Sequence, residues 1–143
     1  MTAISSNLVG SVGAPGAPAR WMKWTGRVLT GLPVGILLLS ASGKLSHAPQ
    51  MVEMWVSKFG YPAHLLTPIG LLEVACAVLL AIPRTAVLGA ILVAGYLAAA
   101  FATHLRVGDP GGVTPIVLAV MAWAGLWLRD ARLRALLPLR SNA

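Results

Sequence analysis

A single carboxylate interrupts an apolar run. The stretch Ile69 to Ile82 reads Ile-Gly-Leu-Leu-Glu-Val-Ala-Cys-Ala-Val-Leu-Leu-Ala-Ile, bilayer-spanning in character apart from Glu73. A charge at mid-membrane depth is costly, so such a residue faces a bundle interior or a polar cavity and takes a partner there. Two kinds of work suit it. Glu73 can clasp the bundle, paired with a tyrosine or lysine of another span, or it can bind a ligand headgroup and relay protons. The companions with suitable chemistry are Tyr96, Lys44, His64, His104 and Arg106. His64, His104 and Glu73 lack ligand spacing on one helix, such as His-x-x-x-His, so no metal is expected. Cys76 stands alone in the chain, which argues against dithiol exchange and for a small packing residue.

The elements that must position these residues are membrane spans. Of 143 residues, 57% are hydrophobic and 10% charged, with mean hydropathy +0.80. A soluble domain carries about 25% charged residues, so the chain is an integral membrane protein. Its formal net charge is +7, with basic residues at the ends of apolar segments. That placement marks membrane topology and lipid headgroups as the partners of the charge, and excludes nucleic acid.

The expected architecture is all-α: a bundle of four transmembrane helices over about 24–42, 63–82, 86–105 and 113–128. A disordered N-terminal tail (1–22) and a basic C-terminal segment (129–143) flank it. Between the first two spans, Pro49 opens a short amphipathic helix, with Met51, Trp55 and Phe59 recurring every four residues. It lies on the membrane surface or dips in as a lid. Four spans put both termini on one side with eight of the 11 Lys and Arg, so the positive-inside rule places the termini in the cytoplasm of an inner membrane. Gly31-x-x-x-Gly35 and the run Ala94, Gly95, Ala98, Ala99 and Ala102 are expected to be close-packing faces.

Counting from the turns places Gly35, Glu73, Tyr96 and Trp123 in one mid-depth layer. Ser40, Ser42, Thr67 and Thr103 lie one layer outward. Lys44, His64, His104 and Arg106 then ring the mouth of a polar funnel opening away from the cytoplasm.

Ser42-Gly43-Lys44-Leu45, Pro68-x-Gly70-Leu71-Leu72-Glu73-Val74, and Leu80-Ala81-Ile82-Pro83-Arg84-Thr85-Ala86-x-Leu88-Gly89-Ala90 resemble stretches of the DoxX-like family of small four-span bacterial membrane proteins. Tyr96, the run 102–106 and Leu128-Arg129-Asp130 match as well, so the resemblance covers about residues 28–137. It implies a four-helix membrane bundle. Some relatives are subunits of quinone-linked oxidoreductases, and others associate with redox or stress proteins. The expected function is a subunit or accessory of a membrane redox system, with a quinone-like ligand at Glu73, Tyr96 and His104. No covalent cofactor is implied, and electrons come from a partner protein. The competing readings are a non-catalytic assembly subunit, including a homo-oligomer, and a small oligomeric transporter.

Overall fold

The computed structural model describes residues 19–136, and all its regular elements are helices. They are α1 (Arg20–Leu45), α2 (Pro49–Glu53), α3 (Leu66–Ala81), α4 (Ala86–Arg106), α5 (Val113–Arg129) and α6 (Ala131–Leu136). A π-helical turn, Met54–Lys58, continues α2, and 3-10 turns at Ala63–Leu65 and Pro110–Gly112 lead into α3 and α5. Four of these helices are long and apolar enough to cross a membrane: Arg20–Leu45, Ala63–Ala81, Ala86–Arg106 and Pro110–Arg129. The helix begins at Arg20, inside the tail expected over 1–22; the rest of that tail up to residue 18, and the segment after 136, lie outside the described residues.

The spans form a ring in which α1 touches α3 and α5, and α4 closes the circle between them. Each helix turns one stripe inward. On α1 it is Gly26, Thr30, Pro33, Leu37, Ala41 and Lys44; on α3 it is Leu66, Gly70, Glu73, Ala77 and Leu80. Steps of three and four residues keep one helical face on the seam. The outward faces carry Val28, Leu39, Leu71, Leu88 and Val120, all exposed. That is the polarity a lipid solvent requires, since between helices in a bilayer close packing rather than hydrophobicity drives association.

Close packing depends on glycines other than those the sequence singles out. A Cβ at Gly125 would stand 2.5 Å from Thr30 Oγ1 and 2.7 Å from the Gly26 carbonyl oxygen. At Gly89 it would lie 2.2 Å from the Leu80 nitrogen, within the α3 backbone itself. Gly31 and Gly35 have nothing within 4 Å and face outward; on α4 Ala94 is half-buried, Ala98 and Ala102 are exposed, and the exposed Gly95 and Ala99 line a cavity rather than a helix contact. Periodicity explains the correction. Lys44 points inward, and Gly35 is nine residues earlier, roughly 180° around the helix at 3.6 residues per turn. If Lys44 faces Glu73, Gly35 must face lipid.

Gly31→Ala and Gly35→Ala are therefore expected to leave the thermal unfolding midpoint of the isolated chain unchanged or higher. Alanine gains up to about 1 kcal/mol over glycine in a helix interior, and no neighbour is displaced.

Candidate functional site

Glu73 is 2% exposed, and its partner is Lys44. The Lys44 ammonium donates to Glu73 Oε2 at 2.8 Å and to Ser40 Oγ at 2.6 Å. Ser40 lies one turn before Lys44 on α1, so the lysine is steadied from its own helix while it reaches across to α3. Gly70, one turn before Glu73, makes that reach short: a Cβ there would stand 3.2 Å from Lys44 Cβ and 3.1 Å from the Leu45 side chain. The pair is electrically neutral as a unit, which is the form in which charges are tolerated inside a bilayer.

The pair stands in the wall of a cavity of about 860 Å³. Tyr96 lines the same cavity, with its hydroxyl close enough to the Glu73 carboxyl for the two to interact. Nearly all the remaining wall is apolar, from Ile36 and Leu37 on α1, Ile69 and Leu72 on α3, and Ile91 and Leu92 on α4. The helices α3 and α4 meet at Gly89 near their short turn, and the cavity fills the space between them farther from it. Thr103 and His104, two turns above Tyr96, line its far end, about 12 Å along α4 at 1.5 Å per residue.

That end is roofed rather than open. Met51, Trp55 and Phe59, the stripe legible in the sequence, all line the cavity from the segment between α1 and α3. The stripe does not lie along one α-helix, because the chain widens into the π-helical turn after Glu53. Phe59 packs edge-on against the His104 ring with centroids 5.0 Å apart. Tyr61 stacks near Trp55 at 5.1 Å and donates to Thr103 Oγ1 at 3.2 Å, since the Thr103 hydroxyl proton already goes to the Ala99 carbonyl.

The predicted residues thus divide. Glu73, Lys44, Tyr96 and His104 share one cavity. His64 is exposed and does not line it; in the 3-10 turn its neighbour Leu65 takes the inward position. Arg106 is not in the cavity wall either. Its guanidinium donates to the Phe59 carbonyl and lies 5.3 Å from the Tyr61 ring centroid, tying the roof down from outside. Gly35 is absent from the wall, and Trp123 packs against the apolar core instead.

Asp109 is the residue that sequence reading passes over as loop. Gly108, at φ +66°, turns the chain back so that Asp109 meets the roof. Its Oδ2 takes the Lys58 ammonium at 3.0 Å and the His104 Nδ1 proton at 2.7 Å, and its Oδ1 accepts the Gly111 amide. An ionised carboxylate only accepts, so His104 carries its proton on Nδ1. The available signal was spacing: His104 and Asp109 flank a glycine-bearing turn.

The Lys58 ammonium first, then the Gly111 amide and His104, hold the Asp109 carboxyl down at about 2 against an ordinary 3.8. A lowered value means that the latch is complete above about pH 4 and is lost as pH falls towards 2. Hydrogen-exchange protection over residues 49–61, taken relative to the intrinsic amide rate at each pH, is expected to fall across that interval. In Asp109→Asn that protection should be low already at neutral pH, without the acid-dependent step.

A ring of four antiparallel spans, with one buried ion pair in a mostly apolar cavity that is roofed at one end and open at the side where Ile36, Leu72, Ile91 and Leu92 are exposed, defines the class: a multi-pass membrane helix bundle with a cavity between its spans. Residues 28–125 match the family model described as the DoxX-like family. The chain belongs to that family. Comparison with curated proteins and with solved structures gave no match.

Proposed function

We propose that the protein is a subunit or accessory of a membrane redox system, and that its cavity binds the headgroup of a quinone-like, lipid-soluble ligand. The observation that carries this reading is the Lys44–Glu73 pair set in the wall of an otherwise apolar cavity. Such a site suits a molecule with one polar end and an apolar body. A quinone carbonyl accepts hydrogen bonds, which the Lys44 ammonium and Tyr96 hydroxyl can donate. The corresponding quinol donates, and Glu73 can accept and exchange the proton. His104, fixed by Asp109, presents a second polar group to the far end of the cavity. Electrons come from a partner protein. Seven Lys and Arg of the described residues, Arg20, Lys23, Arg27, Arg84, Arg129, Arg132 and Arg134, lie at the end away from the roof. This supports an inner-membrane orientation with cytoplasmic termini and the roof on the outer side.

The test is titration of a short-chain ubiquinone analogue into protein held in lipid nanodiscs. Saturable binding is expected, weakened about tenfold or more in Glu73→Gln, since hydrogen bonds to charged groups contribute about 1.5–3 kcal/mol. Unsaturable partitioning, equal in both proteins, would count against the proposal.

A second reading, a non-catalytic assembly subunit, is favoured by one feature. The Gly31 and Gly35 face stands open to another helix. Loss of co-purifying proteins in Gly31→Leu, with analogue binding intact, would support it.

A further inference from the structure

Two arginines, Arg27 on α1 and Arg129 on α5, stand where these helices cross at the end of the bundle away from the cavity. Helices α1 and α5 cross there almost backbone to backbone: a Cβ at Gly26 would stand 2.6 Å from the Gly125 carbonyl oxygen and 3.1 Å from Arg129 Cβ. The crossing brings Arg27 and Arg129 close enough for their charges to repel. Arg27 rests its guanidinium over the Trp24 ring, 5.3 Å from the centroid. Arg129 is partly buried, and its buried Nη2 has no hydrogen-bond acceptor among the described residues.

The chain offers little to neutralise them. Asp130 is the one carboxylate at this end among the described residues; its charge acts on Arg129, but it stands against both guanidinium groups, and its Oδ1 also accepts the Arg132 amide at 2.9 Å. Residues 1–18 and 137–143 contain no Asp or Glu. A buried guanidinium N–H without an acceptor is costly, and more so beside a like charge. The fork of an arginine matches the oxygens of a phosphate. Trp21, Trp24 and Trp127 at this end mark the membrane interface, the level of lipid headgroups.

We propose that Arg27 and Arg129 form a binding site for a phosphate anion, carried by an anionic phospholipid headgroup. The site is independent of the cavity and of any ligand there.

Native mass spectrometry of the full chain released from micelles tests this, with phosphatidylglycerol, phosphatidylcholine or inorganic phosphate as probe. Wild-type protein is expected to retain phosphatidylglycerol and not phosphatidylcholine. Arg27→Gln and Arg129→Gln should each weaken retention about fivefold. Arg84→Gln, which removes the same charge at the same end, should change it less than about twofold. Inorganic phosphate competing at equal concentration would keep the site and assign it to free phosphate. Equal losses in all three variants, or equal retention of phosphatidylcholine, would overturn the proposal. Should Arg129→Gln fail to fold, Arg27→Gln and Arg129→Lys carry the same comparison, the lysine keeping the charge but not the fork.

Discussion

Lys44→Ala and Glu73→Ala are each expected to destabilise the bundle by about 3–5 kcal/mol, because each leaves an unpartnered charge in a low-dielectric interior. The double change Lys44→Met with Glu73→Leu should lose far less, since replacing a buried ion pair by apolar groups of similar volume is often neutral. The two residues lie on different spans, so the loss in either single variant loosens the α1–α3 seam. Cys76 is the chain's one cysteine and is buried in the cavity wall, so labelling by a thiol-reactive dye too large to enter the cavity reports unfolding. Additive losses in the double variant would show that the pair is not an energetic unit.

Gly89→Ala should destabilise by about 3 kcal/mol, at the upper end of the usual range for overpacking. The added carbon would collide with backbone atoms of Leu79 and Leu80, and no side-chain rotation relieves that. Helices α3 and α4 must separate at the point where their three-residue turn holds them closest. Gly125→Ala acts similarly on α1 and α5, where the nearest atoms include the Gly26 oxygen and Thr30 nitrogen. In both cases the dye-reported unfolding midpoint should fall, against the neutral outcome at Gly31 and Gly35. A neutral Gly89→Ala would mean that the two helices are not packed at this distance.

The sequence made the four spans legible because lipid imposes a length and a composition that few other environments demand. Glu73 was legible for the same reason, as an exception to that composition. Its level with Tyr96 followed from counting residues across the short 83–85 turn. The rotation of each helix was harder to read. In a bilayer both faces of a span are apolar, so hydrophobic periodicity, which orients a helix in water, carries little information. Gly35 is accordingly expected beside Glu73, and the close approaches at Gly26, Gly89 and Gly125 are not legible, although Lys44 alone fixes the rotation of α1. The roof was half legible. The Met51, Trp55 and Phe59 stripe marked its inner face, but the contacts of Lys58, Arg106 and Asp109 join segments 47 to 51 residues apart. No local pattern encodes those contacts. His64 and Arg106 were grouped with the site by depth alone, and depth does not say which way a side chain points.

On the proposed function the Lys44–Glu73 pair serves a ligand, whereas a purely structural pair would only clasp two helices. The double variant Lys44→Met/Glu73→Leu separates these roles, because it keeps the seam packed while removing the polar groups from the cavity wall. The direct measurement is the quinone content of organic extracts from wild-type and double-variant protein, purified in mild detergent and matched for unfolding midpoint. Quinone is expected to be retained by the wild type and absent from the variant. Equal amounts in both, or none in the wild type, would contradict the proposed function.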